Sequence, residues 1–239
     1  MTIQLDLWDW PLDIDDARRA GYAAHLSPDE QMRANRFVLA HDRNRFIVAR
    51  GKMREILAER IGKQPADLVF QYLPYGKPVL CDGPQFNLSH SDGWAALVIS
   101  SGPVVGIDIE RHRPVEEGLA EMVFSAQEQR DLQRHFGPNR IAAFYRGWTR
   151  KEAYLKACGS GLARALDSFD VTLDPGPAAR ITRIEDASDD PAQWRLLDLG
   201  LGSELAGAIA VHTAAPTCLR RHIYLHPSHR NDQTLACPI

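Results

Sequence analysis

Apolar and polar positions alternate from Ile3 to Trp8, the period-2 pattern of a strand with one buried face. The period then lengthens. Ser27-Pro28-Asp29-Glu30 reads as a helix start, with Ser27 as N-cap and Pro28 in the first turn. From about Asp42 to Ile61, the residues Phe46, Ala49, Met53, Leu57 and Ile61 form one helical stripe, and Gly62 ends it. Strand patterns at Leu68–Leu73, Phe86–Leu88 and Trp94–Ser100 are separated by the turn signals Tyr75-Gly76-Lys77-Pro78 and Asp82-Gly83-Pro84.

After Gly102-Pro103 a similar order begins again. Val104–Glu110 reads as a strand, and Ser125–Phe136 as a helix opened by a Ser125/Glu128 capping box. A longer helix follows Gly137-Pro138 and runs to about Ala157, stopped by Gly159 and Gly161. Strands follow near Phe169–Leu173, Trp194–Leu199 and Ala206–Val211. Both halves read strand, helix, helix, strands, although no repeat is visible residue by residue. The expectation is an α+β protein of two similar α/β halves, residues 1–102 and 103–215, with a binding cleft between them. Ala214–Ile239 has no clear period, and residues 216–239 are expected to form a surface tail.

Composition narrows the function classes. The chain has 239 residues, 44% hydrophobic, enough for a sizeable core. A net charge of −3 gives no global field favouring nucleic acid or an acidic membrane. Locally, nine Lys/Arg face three acids between Arg33 and Lys63, which suggests an anionic ligand held at one place. The four cysteines lie far apart without zinc spacing, as in a reduced protein. The opening MTIQLDLWDWPLDIDD lacks the basic and apolar regions of a signal peptide, and no apolar run could span a bilayer. A soluble cytoplasmic protein is expected.

Three segments carry candidate chemistry. In GIDIER, Gly106–Arg111, strand alternation sends Val105, Ile107 and Ile109 to one face and Asp108 and Glu110 to the other. That second face is either solvated or half of a metal site. In WTRKEAYLKA, helical spacing places Trp148, Glu152 and Lys156 along one side, where Glu152 and Lys156 are either a surface pair or part of a site. If that helix crosses the strand, three carboxylates and a lysine converge, and all-oxygen ligation suits Mg²⁺ better than zinc. In FNLSHS, Ser89, His90 and Ser91 sit between strand-like runs. They form either an ordinary polar turn or a cradle for phosphate oxygens.

Taken together, YGKP at Tyr75–Pro78, FNLSHS at Phe86–Ser91, GIDIER, Phe124-Ser125 with Glu128, and WTRKEAYLKACGSGL at Trp148–Leu162 resemble the Sfp-type 4′-phosphopantetheinyl transferases. The resemblance covers roughly Ser27 to Leu173 and implies a fold of two halves packed as a pseudo-twofold dimer within one chain. It implies transfer of the 4′-phosphopantetheine arm of coenzyme A to a serine of an apo carrier protein, leaving adenosine 3′,5′-bisphosphate. The acceptor would be an acyl carrier protein or a peptidyl carrier domain of a polyketide, nonribosomal-peptide or fatty-acid synthase. By motif, Asp108, Glu110 and Glu152 fall on magnesium ligands, and Lys156 falls on a diphosphate contact. Ser89 and His90 fall at the phosphates. Tyr75, Gly76, Lys77 and Pro78 fall near the adenine, and Arg45 at the nucleotide end, with Arg33 as a 3′-phosphate contact. Where a well-known member has a further lysine on the first long helix, this chain has Glu30, so the 3′-phosphate clamp is expected to be either weaker or assembled from other arginines such as Arg50.

Catalysis is expected from Glu152, Lys156 and His90, with Glu152 as candidate general base, directly or through a water, and Glu128 as a second candidate that its capping box already explains. Gly118–Phe124 offers Leu119, Met122, Val123 and Phe124 either to the carrier or to the core, and Arg111 and Arg113 would attract an acidic carrier. A fused two-half chain implies a monomer. Three rivals stand beside this reading. One is a non-catalytic module binding coenzyme A or an anionic partner, the second a magnesium-dependent phosphohydrolase. The third, a nucleic-acid binder, lacks interleaved aromatics and a basic net charge.

Overall fold

The computed structural model describes residues 1–159, 161–176 and 179–223. The first half runs β1 (Ile3–Pro11), α1 (Asp16–Ala23), α2 (Pro28–Ala34), α3 (Ala40–Ile61), a short pair β2 (Gln71–Tyr72) and β3 (Pro78–Val79), β4 (Gln85–Ser91) and β5 (Trp94–Ser100). The second runs β6 (Val105–Arg111), α4 (Leu119–Val123), α5 (Ala126–Leu132), α6 (Gly137–Cys158), β7 (Phe169–Val171), β8 (Ile181–Ile184), β9 (Trp194–Asp198) and β10 (Leu205–His212), and closes with β11 (Thr217–Ile223). Among the described residues, no helix is long and apolar enough to cross a membrane.

The expected repeat of element order is present, and the sheets repeat it. β1, β5 and β4 form an antiparallel run in that order, and so do β6, β10 and β9. The repeat also reaches individual side chains, which the sequence pattern does not reveal. Ser27 and Ser125 each open a seven-residue helix through a capping box whose glutamate, Glu30 or Glu128, is buried. Each glutamate meets a basic residue from the fifteenth position of the 22-residue helix that follows, Arg54 in α3 and Lys151 in α6. Arg54 then donates to the Pro65 and Leu68 carbonyls, as Lys151 does to those of Leu166 and Phe169. Arginine standing for lysine, and unequal spacing after the helices, hide this match from a sequence comparison.

Each sheet carries its own long helix on one face and meets the other sheet on its second face. Alternation sorts the side chains accordingly. Ala95, Leu97 and Ile99 of β5 pack under α3 with Met53 and Leu57. Ala96 and Val98 turn the other way and join Leu5, Leu7, Ile107, Ile109 and Ile209 between the sheets. Ala208 and Ala210 of β10 pack under α6 with Ala153 and Tyr154. The GIDIER isoleucines therefore do lie in core, and Gly106, Asp108 and Glu110 face α6.

Gly106 sets how closely α6 crosses β6. A Cβ there would lie 2.1 Å from the Ala153 carbonyl oxygen and 2.4 Å from the Ala157 nitrogen. Both are helix backbone atoms that cannot swing aside, so any larger residue would lift α6 from the strand.

Three local expectations are corrected. Residues from Thr217 do not form a tail; β11 pairs in parallel with β1, from Ile3 opposite Thr217 to Asp9 opposite Ile223. TCLRRHI shows no apolar alternation because it is an edge strand whose basic side chains answer acids of β1. Arg221 holds Asp9 through two bonds of 2.7 and 2.8 Å. His222 reaches Asp6 at 3.0 Å and stacks on Trp8. Residues 224–239 lie outside the described residues. Ser89, His90 and Ser91 are not a turn but the end of β4; the turn is Asp92-Gly93, both at positive φ. Of Leu68–Leu73, only Gln71–Tyr72 is strand, after a 3-10 turn at Pro65–Asp67.

Candidate active site

The two sheets meet along a seam where β4 runs beside β6 without a backbone ladder. Alternate side chains of β4 take the ladder's place. Asn87 Oδ1, Ser89 Oγ and Ser91 Oγ accept the backbone N–H groups of Ile107, Ile109 and Arg111 at 2.8, 3.3 and 3.2 Å. Lys77 completes the edge by donating to the Val105 carbonyl at 3.0 Å. Each serine hydroxyl, with its acceptor side engaged, then donates its proton to a carboxylate. Ser89 donates to Asp108 Oδ1 at 2.9 Å, and Ser91 to Glu110 Oε2 at 2.7 Å.

Asp108 is only 3% exposed. Lys156 Nζ reaches its Oδ1 at 2.5 Å and Ser89 Oγ at 3.2 Å, while Oδ2 is buried without a partner. Burial pushes the Asp108 carboxyl above its usual range, against the pull of Lys156 and Ser89. Burial also raises Glu110, and raises Glu152, whose next largest cause is the Asp108 charge. Glu152 lies one helical turn before Lys156, above the strand that Gly106 lets α6 approach. The expected meeting of GIDIER with the Glu152/Lys156 side of the helix therefore occurs, and the wet-face reading of Asp108 is excluded by its burial.

The donor chemistry fits a small hard cation. All the acids are carboxylates, and an orphaned buried oxygen such as Asp108 Oδ2 is costly unless something positive satisfies it. As folded here, no group of three or more His, Cys, Asp or Glu among the described residues stands ready to hold a metal. The Lys156 ammonium occupies one oxygen of the set.

The other expected residues divide. His90 is exposed at the mouth, where crowding by protein, and next the Lys156 charge, hold its imidazole below the usual range. Arg33 lies over the Phe46 ring at 5.3 Å and lines a cavity of about 600 Å³ with Arg36 and Tyr72. Arg45 is held by Asp13 through bonds of 2.8 and 2.7 Å. Arg50 lines the same cavity as Arg33, but it is largely buried and already engaged by Glu30 and the Tyr72 hydroxyl. Glu128 is no candidate base, since it is 1% exposed, paired with Lys151, and bonded to the Ser125 and Val171 N–H groups. In GLAEMVF, Val123 and Phe124 are core and Leu119 packs against it, whereas Met122 is 72% exposed.

Tyr75, Gly76, Lys77 and Pro78 line a cavity of about 220 Å³ with Asn87, Leu155 and Lys156. Within this group the Lys77 amine does other work. It donates to both Val105 and Ala157 carbonyls, tying the start of β6 to the last turn of α6. Burial lowers its pKa to about 8, against about 10.4 for a free lysine. Between those values the unfolded chain binds more protons than the folded one, so this lysine's contribution to stability rises with pH. Denaturant unfolding of wild type and Lys77→Met at pH 7 and 9.5 should show the difference moving in wild type's favour, by up to about 1.4 kcal/mol per pH unit. A pH-independent difference would contradict the shift.

Sequence reasoning missed Asn87 and Asp13 as site supports, and the closeness Gly106 allows. For Ser91 it offered a phosphate cradle rather than a hold on Glu110; the signal for that and for Asn87 was the polar alternation Asn87, Ser89, Ser91, a strand face hidden inside what reads as a turn.

Comparison with known proteins shows the family. Residues 104–210 match the model of the 4′-phosphopantetheinyl transferase superfamily, and residues 16–102 match that of the 4′-phosphopantetheinyl transferase N-terminal region. The 4′-phosphopantetheinyl transferase HetI of Nostoc is 37% identical over 88% of this chain and 89% of its own length. The Sfp transferase of Bacillus subtilis is 32% identical over 69% of this chain and 73% of its own, and the gsp transferase of Aneurinibacillus migulanus 33% over 66% and 67%. With both halves matched and relatives covered along most of their length, the chain belongs to the Sfp-type 4′-phosphopantetheinyl transferases.

Proposed function

We propose that this chain carries out its family's reaction, moving the 4′-phosphopantetheine arm of coenzyme A to a carrier-protein serine, at the cluster where β4, β6 and α6 meet. The observation that supports this placement is Asp108, a buried carboxylate with one oxygen on Lys156 and Ser89 and the other unpartnered. A module that only bound coenzyme A would have no use for that arrangement, and the matched relatives are transferases.

In the proposed reaction the carrier serine oxygen attacks the β-phosphorus in line. A new P–O bond forms as the bond to the bridging oxygen breaks, and adenosine 3′,5′-bisphosphate leaves. Mg²⁺ held by Asp108, Glu110 and Glu152 would supply charge neutralisation at the diphosphate. Lys156 and His90 face the remaining phosphate charge and the leaving group. Burial and the Lys156 charge disfavour the His90 imidazolium while the cleft is empty, and an arriving phosphate gives it a reason to protonate. Glu152 accepts the serine proton, directly or through a water; the water route suits a carboxylate that also holds the metal, because such a carboxylate is a poor base on its own. Arg33 and Arg45 hold the nucleotide end, and the Tyr75–Pro78 cavity takes the adenine.

We place the approaching carrier at a groove of about 430 Å³ lined by Val115, Leu132 and Phe144, with Arg140 and the acids Glu116, Glu117 and Glu121 also along it. We propose an acyl or peptidyl carrier, met by a cytoplasmic monomer. Intact-mass analysis of apo carriers of fatty-acid, polyketide and nonribosomal-peptide types, incubated with the protein, coenzyme A and Mg²⁺, tests this. A phosphopantetheine-sized gain on at least one carrier, abolished by a chelator, is expected. No gain on any carrier would overturn the reading, and free phosphate without a gain would favour the phosphohydrolase.

A further inference from the structure

Glu110 is held by the opposite half of the molecule. Ser91, at the end of β4 and 8% exposed, donates to Glu110 Oε2 at 2.7 Å and accepts the Arg111 N–H at 3.2 Å. A backbone N–H can only donate, so it takes an acceptor site of the hydroxyl and leaves the single hydroxyl proton for the carboxylate. The orientation of that proton is fixed by the main chain of β6. The next residue fastens the same end of β4 in place. Asp92, at φ 44°, pairs with Arg111 at 2.9 Å and Arg113 at 3.5 Å. Ser91 therefore cannot drift with Glu110 if the carboxylate turns, and it holds that carboxylate in one rotamer.

We propose that Ser91 is a positioning residue for the metal-ligand set, orienting Glu110 so that its carboxylate converges with Asp108 and Glu152. The inference rests on the reading of Glu110 as a ligand. Hydrogen-bond partners of metal ligands typically set metal affinity by 10–100-fold. The expectation for Ser91 is an effect on metal binding, with the coenzyme's own binding unchanged, because Ser91 touches Glu110 and β6 and not the expected nucleotide contacts.

The test is calorimetric titration of Mn²⁺ into protein saturated with coenzyme A, with no carrier present and hence no turnover. Ser91→Ala should weaken Mn²⁺ binding about 10-fold, and Ser91→Thr, which keeps the hydroxyl, should stay within about threefold of wild type. Coenzyme A affinity without metal should be equal in all three. In transfer assays the half-saturating Mg²⁺ of Ser91→Ala should rise by a similar factor, with the rate recovering at saturating Mg²⁺. Glu110→Gln separates the two levels of the inference. If it weakens Mn²⁺ binding and Ser91→Ala does not, the positioning role is overturned while the ligand reading stands. If Glu110→Gln has no effect either, the ligand reading fails and the inference goes with it. Should Ser91→Ala unfold, Ser91→Cys keeps the volume with a weak donor, and unchanged Mn²⁺ affinity in it overturns the proposal equally.

Discussion

Glu152→Gln should lower carrier modification by about a thousandfold or more, while melting and coenzyme A binding stay close to wild type. General-base catalysis alone is worth about 10²–10⁴-fold, and the same change removes one of three carboxylates proposed to hold Mg²⁺. The fold has little reason to suffer. Glu152 is half-buried on the cleft side of α6, and its raised pKa, caused by burial and then by Asp108, shows that its charge is a burden in the empty protein. Glutamine keeps the shape and relieves that burden, so a slight gain in melting temperature fits the same picture. Single-turnover mass analysis, beside thermal unfolding and coenzyme titration, reads all three quantities. Near-normal transfer by the folded variant would remove Glu152 from both proposed roles.

Glu128→Ala should show the converse, a large loss of stability from a residue outside the chemistry. Its carboxylate receives the Ser125 N–H at 2.9 Å and the Val171 N–H at 2.7 Å, and pairs with Lys151 at 2.8 Å. Those bonds join α5, α6 and β7 where both partners are almost wholly buried. Removing one partner of a buried pair costs about 3–5 kcal/mol, because the other charge is left uncompensated. At about 2–4 °C per kcal/mol for a chain of this size, melting should fall by about 10 °C. Replacing Glu128 and Lys151 together by methionine should recover part of the loss, since no charge is then stranded. A Glu128→Ala protein melting within two or three degrees of wild type would contradict the network's role.

The legible part of this molecule was its periodic part. The stripe through Ala49, Met53 and Leu57, the alternation of GIDIER and the glycines closing α3 and α6 follow from local geometry, and the structure keeps them. The direction of Asp108 and Glu110 was legible for the same reason, and so was the meeting with Lys156 once the motifs were read together. What stayed hidden depends on contacts between distant segments. Lys77 carries a local signal for a ligand contact, yet its amine is committed to carbonyls 28 and 80 residues away. Arg50 looked available because nothing near it in sequence says that Glu30 turns inward. β11 was missed because an edge strand paired through charge has no buried face to impose a period.

That last strand bears on how the protein is made. A chain synthesised from its N-terminus exposes β1, β5 and β4 well before β11 exists, and the bonds Arg221–Asp9 and His222–Asp6 span 212 and 216 residues. Until translation reaches Ile223, the outer edge of β1 is an unpaired row of backbone groups, open to neighbouring nascent chains on the same message. Closing so long a loop is slow compared with forming a hairpin. The first sheet to be born is thus the last to be finished: the buried Asp9 waits until then for Arg221, whereas Asp6 already has Arg60 of α3.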